Sequence, residues 1–259
     1  MIESVNVNGM TMKYSKFGEG EKNFVIIPGV SLKSVLPNEH AIMKQYKKIA
    51  ADHTVYLFDR KESFSDDYNL FQMAEDTALA IKAAGITHAD FFGTSQGGMI
   101  SQLIAINHPD LVDRLILGST TSRLDDNSKS IFNRWMELAK PEKVRDLIYQ
   151  FVTDVYSDEF CENYRDALVS MMSDATEEEI RRFKIMSKAC FDISTFDDLS
   201  KIKCPCLVLG SRKDKLFGPD RQNELARGLN AKTFFYEGYS HGVYDETKDF
   251  IDHLLSFLA

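Results

Sequence analysis

The sequence contains no run of 18 apolar residues, so none of its 259 residues is expected to form a membrane-spanning helix. Positive charge is also in short supply. Lys and Arg number 31 against 39 Asp and Glu, a formal charge of −8, and no basic stripe interrupts the acidic surface. Such a surface repels phosphate backbones, so nucleic-acid binding is not expected. The opening "MIESVNVNGM" lacks the basic-then-apolar pattern of a signal peptide, and a cytoplasmic location is expected. Cysteine is scarce, with only Cys161, Cys190, Cys204 and Cys206. Cys204 and Cys206 flank a single proline, too close for an ordinary structural disulfide. They also lack the two-residue gap of redox and zinc pairs, so reduced thiols are expected. No His-x-x-x-His or paired Cys-x-x-Cys occurs, and no metal is expected. Internal repeats, low-complexity tracts and long charge blocks are absent too.

What is present is an ordinary globular composition, 44% hydrophobic and 27% charged, with enough apolar material for a large core. Residues 3–17 alternate apolar and polar around Asn8-Gly9, the pattern of an antiparallel hairpin with a tight primed turn. Short apolar runs follow at 23–29, 54–60, 89–95, 114–120, 206–211 and 232–238. Each ends at polar or glycine positions, as parallel strands buried on both faces do. Helical patterns near 39–51, 71–85, 97–107, 221–229 and 245–258 lie between them. This alternation predicts an α/β fold, a mostly parallel central sheet of about eight strands with helices on both faces. From 122 to 200 the rhythm breaks, and stretches such as "SIFNRWMELAK" read as helix only. The expectation is a core of residues 1–121 and 201–259 with a helical cap, 122–200, inserted above the strand ends.

The segment "FFGTSQGGMI", residues 91–100, places three glycines around one serine where a strand gives way to a helix. Glycine inside regular structure costs roughly 0.5–1 kcal/mol relative to alanine. Their clustering therefore points to a very tight turn. Gly93-Thr94-Ser95-Gln96-Gly97 fits Gly-x-Ser-x-Gly, a strand-to-helix turn that stands its serine at the carboxyl end of the strand.

A serine hydroxyl is a poor nucleophile without a base, and the base needs an orienting acid. In open parallel sheets reactive groups gather at the carboxyl ends of strands, which sorts the six histidines. His53 and His88 precede strands, His108 follows the helix after Ser95, His253 lies within the last helix, and His40 opens the first. Only His241, in "YEGYSHGVYDE", follows a strand's carboxyl end on a loop. Asp214, four residues past the run "CLVLG", is the expected acid, with Asp125 and Asp126 as the alternative. Asp220 reads as a helix N-cap and Glu237 as part of the last strand.

The Gly-x-Ser-x-Gly turn, Asp214 and His241, in that chain order, resemble the α/β-hydrolase superfamily, and the resemblance covers nearly the whole chain. It implies acyl transfer with Ser95 as nucleophile, His241 as base and Asp214 as its orienting partner. It also implies an oxyanion hole made by two main-chain N–H groups, by position those of Val30, in Pro28-Gly29-Val30, and Gln96. Proline stands where the family often has histidine, which leaves a main-chain donor intact. Lys61 and Glu62 stand where it often has glycines, which alters the nearby pocket wall. Such a mechanism requires no cofactor. The expected substrate is a small to medium carboxylic ester or lactone, with Trp135, Met136 and Val243 in its pocket. Carbon–carbon bond hydrolases and lyases, and perhydrolases, share the fold and triad, and a low-turnover small-molecule receptor is a further alternative. A haloalkane dehalogenase requires a carboxylate where Ser95 stands.

Overall fold

The computed structural model describes residues 1–259. The chain opens with β1 (Ile2–Val7) and β2 (Met10–Phe17), paired antiparallel about Asn8 and Gly9, whose φ values of 51° and 75° are those of a primed turn. Then β3 (Lys22–Ile27), α1 (Glu39–Gln45), β4 (His53–Phe58), α2 (Leu70–Ala83), β5 (Ala89–Thr94), α3 (Gln96–Asn107) and β6 (Val112–Gly118) alternate. Four helices follow: α4 (Asp126–Leu138), α5 (Val144–Val155), α6 (Asp158–Met172) and α7 (Glu177–Ala189). The sheet resumes with β7 (Cys206–Ser211), α8 (Gly218–Gly228) and β8 (Lys232–Tyr236), and the chain closes with α9 (Val243–Glu246) and α10 (Phe250–Leu258).

All eight strands form one sheet in the order β1-β2-β4-β3-β5-β6-β7-β8, parallel from β4 to β8. Alternate side chains of the inner strands enter different cores. Val25, Ile27, Phe91, Leu115, Leu117 and Val208 join a large cluster on one face. Phe24, Ile26, Phe92, Ile116, Leu207 and Leu209 join a smaller one with Phe250, Leu254 and Leu258 of α10. Burial on both faces is why these strands read as unbroken apolar runs.

Two sequence-predicted helices are interrupted. The first stops at Gln45 and resumes only as a 3-10 turn at Ile49–Ala51. The last splits at Thr247, which is extended at φ −117°, ψ 141° and whose hydroxyl donates to the Asp249 carboxylate. Short hydroxyl and carboxylate side chains compete with helical backbone bonds in this way. Helix α8 begins at Gly218, so Asp220 sits within its first turn rather than at its N-cap.

The helices between β6 and β7 are pinned internally and to the sheet. Asp154 of α5 is buried and accepts from Arg134 (2.9 Å) and Trp135 (2.8 Å) of α4 and from Gln150 (2.9 Å). An isolated antiparallel bridge between Arg123 and Ser194 joins the segment's two ends. Lys215, after β7, reaches the carbonyls of Thr153 (3.2 Å) and Tyr156 (3.1 Å), and the Gly242 N–H donates to Val155 at 2.7 Å. No helix is long and apolar enough to cross a membrane.

Candidate active site

Ser95 stands between the last residue of β5 and the first of α3. Its backbone takes φ 52°, ψ −121°, a positive-φ conformation that costs a non-glycine residue on the order of 1–3 kcal/mol. The surroundings hold it there. Its N–H donates to Gly118 at 2.9 Å, and its carbonyl accepts from the Thr120 hydroxyl at 2.7 Å and the Gly98 N–H at 3.0 Å. A Cβ added at Gly97 would lie 1.9 Å from the Ile27 carbonyl oxygen, and one at Gly98 would lie 2.6 Å from Thr120 Cγ2. The turn thus brings α3 against the backbone of β3 and against the Thr120 side chain just past β6. Gly97→Ala is expected to destabilise the fold by about 3 kcal/mol, the upper end of ordinary overpacking, or to prevent folding. Thermal unfolding of that variant at the wild-type temperature would contradict this packing.

The imidazole of His241 lies on the loop between β8 and α9, with Nδ1 2.9 Å from Asp214 Oδ2. Asp214, between β7 and α8, also accepts from the N–H groups of Leu216 (2.8 Å) and Phe217 (3.0 Å) and from Gln222 Nε2 (2.6 Å). Four donors fix this carboxylate, and it in turn fixes the ring. The other nitrogen, His241 Nε2, is buried without a hydrogen-bond partner. Ser95, Asp214 and His241 are 7%, 5% and 1% exposed, so the group sits inside the protein rather than on its rim. Ser95 and His241 line one cavity of about 700 Å³. No hydrogen bond joins Ser95 to His241 Nε2 in this structure, a contact that catalytic sites often tighten only as the reaction proceeds.

The remaining histidines lie elsewhere. His108 ends α3 and contacts Glu75 (3.0 Å) and Lys82 (3.1 Å), and His88 contacts Asp113 at 2.6 Å. His53 is buried beside Asp90, His253 stacks on Phe234, and His40 is on α1. Asp125 caps α4 by accepting from the Ser128 N–H at 2.9 Å, and Asp126 is in that helix's first turn.

The loop after β3 passes close to the serine. A Cβ at Gly29 would lie 2.9 Å from Ser95 Cβ and 3.5 Å from its Oγ. The Val30 N–H takes part in none of the loop hydrogen bonds, and Gln96 opens α3, where N–H groups lack intrahelical partners. The segment "FDRKESFSDD" provides a residue that sequence reasoning missed. Arg60, buried two residues past β4, donates from Nη2 to the Pro28 carbonyl (2.7 Å) and to Gln96 Oε1 (3.2 Å). It ties the Gly29 loop to the residue that follows the serine, while its Nε and Nη1 are left without partners. Burial lowers its pKa, against a raising contribution from Asp59. A cation directly after a buried strand was the available signal.

The cavity is mostly apolar, with 18 hydrophobic residues among 31. Trp135 lines it, together with Phe151, Tyr156, Met171 and Met172 of the helical insertion. Met136 and Val243 do not. Met136 is the next residue along α4 and so faces about 100° away from Trp135. Val243 is fully buried in the smaller core, which also holds Phe250, and does not reach the cavity wall. A shallower polar depression on α4 has no hydrophobic lining and shares no residue with the Ser95 cavity.

Comparison with known proteins adds family context. A family described as alpha/beta hydrolase fold matches residues 22–247. A protein named as the carbamate hydrolase RutD, from Rhizobium rhizogenes (strain K84), is 26% identical over 230 residues, 83% of this chain and 86% of its own. Serine hydrolase BPHL of Mus musculus is 22% identical over 218 residues, 82% of this chain and 70% of its own. MGS-M2, an alpha/beta hydrolase enzyme from a Medee basin deep-sea metagenome library, superposes with a TM-score of 0.89. It is 21% identical, with 99% of this chain and 97% of that one covered.

Proposed function

Because the chain belongs to the alpha/beta hydrolase fold family, we propose that it is a serine hydrolase cleaving small to medium carboxylic esters or lactones through an acyl-enzyme. The observation that carries this reading is His241. Its Nδ1 is committed to Asp214 at 2.9 Å, and its Nε2 is buried and unpartnered on the cavity that Ser95 also lines. An imidazole so held has one nitrogen available, and the only missing partner is a proton donor such as the serine hydroxyl.

The chemistry follows from these positions. As Ser95 Oγ adds to the carbonyl carbon, its proton passes to His241 Nε2, and Asp214 stabilises the imidazolium through Nδ1–H. The carbonyl π pair moves onto oxygen, where the N–H groups of Val30 and Gln96 receive the developing charge. Loss of one such donor typically costs about 10²–10³ in rate. The intermediate collapses, the C–O bond to the alcohol breaks, and Nε2 returns the proton to the departing oxygen. Water then repeats the sequence on the acyl-enzyme, delivering a proton to Nε2 and releasing acid and free Ser95. Arg60 acts as a positioning residue that holds the two oxyanion donors in register. The names of the relatives BPHL, a serine hydrolase, and RutD, a carbamate hydrolase, both suit addition to a carbonyl carbon.

Stopped-flow mixing of purified protein with p-nitrophenyl acetate and butyrate tests the reading. A burst of nitrophenol followed by steady turnover is expected. Absence of turnover on an ester and lactone panel, with activity only on hydroxynitriles or dicarbonyl compounds, would replace hydrolysis by carbon–carbon bond cleavage. Binding without release would indicate a receptor.

A further inference from the structure

The Ser95 cavity has only three lining residues of formal charge: Lys33, Glu179 and Asp245. Two of them are already engaged. Lys33 pairs with Asp174 at 2.5 Å, and Glu179 accepts from the Thr176 N–H (2.8 Å) and hydroxyl (3.0 Å) as the capping box of α7. Asp245 is different. Its Oδ2 accepts from the Tyr156 hydroxyl at 3.0 Å, while its Oδ1 has no hydrogen-bond partner. It sits four residues beyond His241 on the cavity wall and is exposed to solvent there, with phenols packed around it.

The groups facing Asp245 are phenols and one carboxylate rather than a cation. Tyr156 comes from the end of the insertion's second helix, Tyr46 from the residue after α1, and Tyr244 and Glu246 from its own helix, with His241 nearby. Burial raises all three tyrosines above the usual phenol range, so they remain neutral donors. The same crowding, reinforced by Glu246 and opposed by Tyr156 and His241, lifts the Asp245 carboxyl to about 6. No Lys or Arg side chain pairs with it. A carboxylate with a free oxygen beside a mainly apolar cavity loses part of its hydration when a ligand enters. A ligand without a donor leaves it unpaired, an anionic one is repelled by it, and a ligand carrying a cationic donor both replaces the lost water and compensates the charge.

We propose that Asp245 is the subsite for a protonated amine, and that the substrates of this site are amino-bearing esters. This deepens the ester-hydrolase reading and rests on it. A site built around an acceptor discriminates strongly against analogues that lack the donor. Tyr156 holds the carboxylate through Oδ2 and leaves Oδ1 for the ammonium. Preference for the amine is full where Asp245 is ionised, and it is lost as the pH falls through about 6.

The test separates binding from turnover. Ser95→Ala protein is titrated calorimetrically with ethyl esters of ω-amino acids of two to six carbons, each matched to the isostere ending in methyl instead of ammonium. At pH 7.5 at least one amino ester is expected to bind about tenfold tighter than its isostere, the scale of one hydrogen bond to a charged group. The advantage should vanish when Asp245→Asn is added and shrink at pH 5 in the Ser95→Ala protein itself, a readout that does not depend on the second variant folding. Equal affinities across the series, or a preference that survives Asp245→Asn or the shift to pH 5, would overturn the subsite. Turnover of the neutral esters by wild-type protein decides the hydrolase reading separately, since its failure would leave the binding comparison intact.

Discussion

Ser95→Ala is expected to lower ester turnover by about 10⁴–10⁶-fold while leaving the unfolding transition in place. The size follows from the side chain's part in the reaction. Without Oγ no acyl-enzyme forms, and the residual rate is what the oxyanion donors and binding alone supply. The fold should tolerate the change, because the strained turn is held through the main-chain N–H and carbonyl of Ser95, not through its hydroxyl. His241→Ala should lose a comparable factor, and the double variant should lose little more, since nucleophile and base act as one unit. His108→Ala and His253→Ala provide the contrast. His108 is engaged with Glu75 and Lys82 and His253 stacks on Phe234, neither in the Ser95 cavity. Both variants should keep most activity, and steady-state rates on p-nitrophenyl butyrate check all five. A similar loss in all of them would show that the effect is structural.

The second large effect is expected at Asp214→Asn, about 10⁴-fold in kcat, measured on the same substrate. Asp214 accepts from two N–H groups, Gln222 and His241, and offers no donor in return. An asparagine brings an NH₂ group that must face one of those donors or turn the imidazole to its other tautomer. In the first case the site loses stability, by about 1–3 kcal/mol for each buried group left unpaired. In the second it loses a base correctly oriented toward Ser95. Asp125→Asn, at the cap of α4, should leave kcat nearly unchanged. An Asp125 variant as inactive as the Asp214 one would reopen the choice of acid.

Much of this architecture is legible in the residues because the signals are local. Parallel strands buried on both faces must be continuously apolar, so 23–29, 89–95 and 206–211 announce themselves. A serine crowded by Gly93, Gly97 and Gly98 needs a backbone that passes within contact of its neighbours, as the Ile27 carbonyl does at Gly97. What stays hidden depends on contacts distant in sequence. Trp135 and Met136 are adjacent and similarly apolar, and only the direction of α4 decides that Trp135 meets the cavity. Val243 lies two residues from His241 but belongs to the core under α10. Arg60 links Pro28 to Gln96 across more than thirty positions of chain in each direction, and no spacing rule encodes that bond. Asp245 looks like one more acidic residue of an exposed helix, and only the placement of Tyr156, from the insertion, reveals that it lines the Ser95 cavity.

Covalent catalysis here requires one reactive hydroxyl, that of Ser95. Wild-type protein treated with a fluorophosphonate and examined by peptide mass spectrometry should carry a single adduct on Ser95, with none in Ser95→Ala and slow labelling in His241→Ala. An adduct on another residue, or undiminished labelling of the Ser95→Ala protein, would contradict it.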